Sequence, residues 1–164
     1  MPILISLFWI ALGLGLQVLL FNHLTLGGGI ALAYLYMIVR TPVDWHRSWQ
    51  ILLGFLVGFV ADVFCNTPGL HALTCTTTMW LRLPILHMFI VADDIKTGCP
   101  TYHRLGSSVF TRFVAAMVLI HCVLLYSLEA FTLFNFLNLF LKIVMSFIMT
   151  FMLLLVADMA NDTK

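Results

Sequence analysis

Apolar runs of membrane-spanning length follow one another along this chain, separated by short polar stretches. A helix needs about 20 predominantly apolar residues to cross the hydrocarbon layer of a bilayer. Of the 164 residues, 62% are hydrophobic and only 9% are charged. A soluble domain carries about 25% charged residues. A chain with a mean hydropathy of +1.07 has more apolar surface than a water-soluble fold of this size can bury. The expected fold class is therefore an all-α integral membrane protein, one polytopic domain over residues 1–164. A net charge of +1 leaves no basic surface dense enough to follow a nucleic-acid backbone.

The apolar runs predict six transmembrane helices, at about 3–21, 26–39, 51–65, 70–83, 109–128 and 138–157. Residues 1–21 lack a basic leader and a small-residue cleavage site, so they read as a mature helix. Pro84 is expected to end or kink the fourth helix, with Arg82 snorkelling at its end, and residues 85–91 to lie along the interface. Trp45 and Trp49 suit a headgroup boundary. Arg40 and Arg47 follow the second helix; Arg82, Lys96, Arg104 and Arg112 surround the loop after the fourth; Lys164 follows the sixth. The opposite loops hold Asn22, His23, Asn66 and Glu129 but no lysine or arginine. The positive-inside rule then puts both termini in the cytoplasm.

The third run contains an acid: GFLVGFVADVFCNTPGLHA, with Asp62 among apolar neighbours. A charge at the bilayer centre costs about 3 kcal/mol on insertion scales, so it calls for a function or a partner. Counting about 1.5 Å of rise per residue, Gln17, Asp62, Thr74 and Lys142 fall at similar depths and His121 somewhat deeper; with His71 across the hairpin they form a candidate intramembrane polar layer. An Asp62–Lys142 ion pair is expected within it, assisted by His71 or Thr74; otherwise Lys142 snorkels outward. If that pair forms, Lys142→Met should mimic loss of Asp62. Gly54, Gly58 and Asp62 recur every fourth residue and share one face, which serves either helix packing or a partner. Thr67 reads as an N-cap, Pro68 as a first helical residue, and Gly69 as part of the turn. The threonines of TCTTT, at 74–78, are expected to bond their own helix backbone, the alternative being that they face a cavity.

No catalytic constellation is present. The six histidines match no metal-ligand spacing, and there is no nucleophile elbow, phosphate loop or dinucleotide fingerprint. The four cysteines form no CxxC pair and read as small packing residues. Asp93 and Asp94 read as the solvated start of a loop. No enzyme activity, cofactor or metal is expected.

The segment carrying Gly54, Gly58, Asp62, Pro68, Gly69 and His71 resembles the rod shape-determining protein MreD family. In that family a glycine-containing third helix ends in an acidic residue and a tight turn. FNHLTLGGG and the Arg82–Pro84 ending of the fourth helix resemble members from the Bacteroidetes group. The resemblance implies a non-enzymatic bacterial inner-membrane protein of the cell-elongation machinery, supporting peptidoglycan synthesis and cell shape. It would bind the single-pass scaffold MreC and, through it, work with MreB, RodA and a class B penicillin-binding transpeptidase. It also implies a six-helix fold similar to the substrate-binding subunits of energy-coupling-factor transporters. A vitamin-type small-molecule binding subunit of a transporter is the alternative, since a polar layer in the outer half is where such a subunit would capture its ligand.

Overall fold

A computed structural model describes residues 32–90, 98–130 and 136–161. The described chain is all-helical: α1 (Leu35–Arg40), α2 (Arg47–Cys65), α3 (Leu70–Phe89), α4 (Tyr102–Leu105), α5 (Ser107–Glu129) and α6 (Phe136–Asn161). The expected helix at 3–21 and the start of that at 26–39 lie outside the described residues, as do Gln17, Asp93, Asp94 and Lys96. Three helices, Arg47–Cys65, Ser107–Glu129 and Leu137–Met159, are long and apolar enough to cross a membrane. This is a membrane protein by that criterion.

Helices α2 and α3 form an antiparallel hairpin. Two glycines set its closeness. A methyl group on Gly58 would stand 2.4 Å from the His71 carbonyl oxygen and 2.6 Å from the Ala72 Cα. On Gly54 it would meet the Met79 Cβ at 2.9 Å and the Cys75 carbonyl oxygen at 3.0 Å. The glycine face therefore packs α2 against α3. The opposite face of α2 turns Leu52, Phe55, Leu56, Phe59 and Val63 outward. Helix α5 lies against α3, and α6 against α5; α1 touches α3, α5 and α6. The apolar core gathers Tyr34, Leu35, Ile38, Met79, Leu86, Phe110, Phe113, Met117 and Val118 at the centre of this arrangement.

Helix α3 departs from expectation at both ends. Pro84 sits inside it, and the helix continues to Phe89 rather than ending near 83. Proline has no N–H for the carbonyl four residues back, here that of Trp80. Arg47 supplies the replacement: its Nη2 donates to the Trp80 oxygen at 3.4 Å, and its guanidinium lies 5.4 Å from the Trp80 ring centroid. At the start, Thr67 is not the N-cap and Pro68 is not the first helical residue. Gly69 occupies the cap position with φ of 82°, with no capping side chain of its own, and Leu70 begins the helix. A positive φ of this size suits glycine. Asn66, at φ 55°, ends α2 in the same left-handed region, which asparagine tolerates better than most residues.

Gly58→Ala should destabilise the protein by about 1–3 kcal/mol, the usual cost of overpacking. Gly54→Ala should cost less, because part of its obstruction is the Met79 side chain. Unfolding in mixed micelles would rank the two.

Candidate functional site

The partner of Asp62 is the beginning of α3. Its Oδ1 accepts from the His71 backbone N–H at 2.8 Å, and its Oδ2 from the Ala72 N–H at 2.9 Å. These are second and third positions of the helix, whose N–H groups have no intrahelical acceptor. A carboxylate on α2 thus caps α3 from outside, where the helix dipole also favours negative charge. Two side chains complete its shell: the Thr67 hydroxyl donates to Oδ1 at 2.9 Å, and His71 Nδ1 lies 3.0 Å from the same oxygen.

Lys142 is elsewhere. Its Nζ lies 3.0 Å from Glu129 Oε1, which joins α6 to the end of α5. The expected Asp62–Lys142 pair is corrected by this contact. A carboxylate nearer along the bundle edge engages the lysine, and Asp62 is filled by donors from its own hairpin. Thr74 donates to the Leu70 carbonyl at 2.7 Å, and Thr76, Thr77 and Thr78 bond back one turn in the same way. His121 is fully buried between Tyr34 and Thr78. Its Nε2 is 2.9 Å from the Tyr34 hydroxyl, and its Nδ1 is 3.0 Å from Thr78 Oγ1. Because the Thr78 hydroxyl hydrogen goes to the Thr74 carbonyl, Nδ1–H must donate to Thr78, and Nε2 accepts from Tyr34. The Tyr34 ring also meets His71 edge-on, 5.9 Å between centroids. Asp62 and His71 are thus in direct contact, and His121 is linked to His71 through Tyr34. Thr74 and Lys142 bond elsewhere.

Three groups were not singled out as buried sites from sequence. Arg82 does not snorkel; it is 0% exposed. It donates to the Val39 carbonyl at 3.3 Å, to the Thr41 carbonyl, and to Gln50 Oε1 at 3.0 Å. Those carbonyls are at the C-terminal end of α1, the negative end of its dipole. Gln50, also buried, anchors the loop before α2 by donating to the Trp45 carbonyl at 2.8 Å. Asp158, 1% exposed, accepts from the Tyr102 backbone N–H at 2.9 Å, the first residue of α4, and lies 3.4 Å from Arg40 Nη1. On the same α6 face, Thr150 accepts from the Leu32 N–H at 3.0 Å and Ser146 pairs with Tyr126. Lys142, Ser146, Thr150 and Asp158 fit one four-residue period, a signal readable in the sequence as polar residues recurring within an apolar run.

Cys99 lies among arginines at this end of the bundle. Burial pushes its thiol up, against the pull of Arg40 and Arg82. A thiol held protonated at neutral pH is a poor nucleophile. Among the described residues, no group of three or more histidines, cysteines or carboxylates is placed to hold a metal ion.

No family model, no curated protein and no solved structure matches this chain.

Asp62→Ala should cost about 1–3 kcal/mol for each buried N–H left without an acceptor, and Asp62→Asn, which keeps one acceptor oxygen, should cost less. Lys142→Met should not reproduce that loss. It should match Glu129→Gln and cost below about 1 kcal/mol, since the two side chains are 30% and 39% exposed. Chemical unfolding of the four variants separates the two effects.

Proposed function

We propose that this protein is a non-enzymatic membrane assembly component that binds a single-pass partner, as its resemblance to the MreD family implies. One observation supports this reading best. The polar side chains that the sequence puts inside the membrane are engaged by helix ends and by one another, as in a scaffold. Asp62 caps α3, Arg82 caps α1, Asp158 receives the start of α4, and His121 ties α1 to α3. A ligand-capturing subunit needs convergent donors and acceptors left open for its ligand.

In this reading the partner is an MreC-type bitopic protein, and the wider assembly includes MreB, RodA and a class B penicillin-binding transpeptidase. The protein resides in the bacterial inner membrane with its arginine-rich end and both termini in the cytoplasm. Its full fold is a six-helix bundle like that of energy-coupling-factor substrate-binding subunits. The outward face of α2, with Leu52, Phe55, Leu56, Phe59 and Val63, is wide enough to meet a transmembrane helix.

Depletion tests the reading. The expected outcome is rounding of rod-shaped cells with vitamin uptake intact, and recovery of a single-pass protein with the tagged full-length chain. Normal shape with lost uptake of one compound overturns it in favour of a transporter subunit.

A further inference from the structure

The two buried histidines among the described residues are placed differently, and the difference has a chemical consequence. Both His121 nitrogens are engaged, by Tyr34 and Thr78, and the residue is fully buried. His71 has its Nδ1 on Asp62 and near Thr67 Oγ1, at 3.0 and 2.9 Å. The Thr67 hydroxyl hydrogen points to Asp62, and an ionised carboxylate only accepts. Nδ1 therefore carries the hydrogen in the neutral ring, and the lone pair is on Nε2. None of the hydrogen bonds among the described residues uses Nε2. The His71 side chain keeps 10% of its surface exposed.

We propose that the Asp62–His71 pair is a proton-binding site, empty at neutral pH, that loads one proton on His71 Nε2 as the adjoining aqueous phase acidifies. The step is a single transfer from hydronium to Nε2. It breaks one O–H bond of hydronium, forms one N–H bond and releases water. The driving force is charge neutralisation. Lys142 belongs to Glu129, so among the described residues no lysine or arginine contacts Asp62. With neutral His71 the pair carries one negative charge in a low-dielectric site; with the proton bound it carries none, and Nδ1–H···Oδ1 becomes a charge-assisted bond.

The groups facing the ring act in both directions. Glu129 at the end of α5 lies within electrostatic reach and favours loading, though Lys142 offsets part of its charge. His121 stays neutral while it accepts from Tyr34, and so adds no charge. Tyr34, just before α1, presents a ring edge, and Cys65 on α2 and Cys75 on α3 are thiols within electrostatic reach of Asp62. An imidazole is largely neutral at neutral pH and gains its charge on acidification, so the site is empty at neutrality and fills below it. This site does not depend on the proposed assembly role, and it is read on the purified protein without a partner.

The test is nitrogen NMR of the full-length protein, ring-labelled at histidine, in phosphatidylcholine nanodiscs. The pH runs from about 8 to about 4.5, spanning the range in which histidine changes charge. His71→Gln assigns the signal. The expected result is that His71 Nε2 converts from lone pair to N–H within this range while His121 does not. Asp62→Asn should weaken proton binding at least tenfold. Should that variant not fold, Glu129→Gln, altered at a half-exposed position, should lower the midpoint by a smaller amount. A His71 ring unprotonated throughout, or a midpoint indifferent to both carboxylate variants, overturns the proposal.

Discussion

The backbone groups at helix ends are what this structure must satisfy. Each helix leaves about four N–H groups at its start and four carbonyls at its end without intrahelical partners. In water the solvent supplies them. Inside a bilayer nothing does, and each unsatisfied group costs several kcal/mol. The described bundle meets this demand with its rarest residues, its buried charges. Asp62 takes the N–H groups that open α3, Arg82 takes carbonyls at the end of α1, and Asp158 takes the N–H that opens α4. The sign is right in each case, anion at a helix start and cation at a helix end. A buried ion usually needs an opposite ion. A helix terminus here supplies much of the same compensation through oriented dipoles, which explains how Arg82 is buried without a carboxylate bonded to it.

The same logic positions α6. Most of its surface is apolar and outward-facing, including Leu137, Phe140, Leu141, Ile148, Met152 and Val156. Contact between apolar surfaces in lipid gives little preference for one rotation over another, because the hydrocarbon tails are equally apolar. The polar stripe of Lys142, Ser146, Thr150 and Asp158 supplies that preference. Its members reach Glu129, Tyr126, the Leu32 N–H and Arg40 in turn. Sixteen residues separate Lys142 from Asp158, about 24 Å at 1.5 Å per residue. Charged contacts thus bracket the helix at a separation slightly below the hydrocarbon thickness of about 30 Å.

The membrane class and the position of the hairpin were legible because hydropathy and the Asn-Thr-Pro-Gly turn are local signals. So was the threonine back-bonding, which depends only on residues one turn apart. The contacts that cross between helices were not. Depth counting put Asp62 and Lys142 at one level, but depth fixes only one of three coordinates. The rotation of α6 and the presence of Glu129 decided the pairing. Snorkelling by Arg82 requires a helix that stops at about residue 83. With α3 continuing to Phe89, the arginine is more than a full turn inside the helix and points to α1. The four-residue period on α6 was present in the sequence, and only its low contrast against a long apolar run concealed it.

Gly54, Gly58 and Asp62 are best understood as one device. All three share a face at four-residue spacing. The glycines let α2 approach the α3 backbone so closely that a Cβ at 58 would overlap the His71 carbonyl. Only at such a separation can an aspartate, with a single methylene between backbone and carboxylate, place both oxygens on the N–H groups of His71 and Ala72. A larger residue at 58 would push the hairpin apart and leave the carboxylate short of both. A glutamate at 62 would carry its charge past them. The acid in the apolar run therefore depends on the small residues that precede it, and the helix start it caps depends on both. Closeness of the backbones is what makes an ionised side chain tolerable among these apolar neighbours.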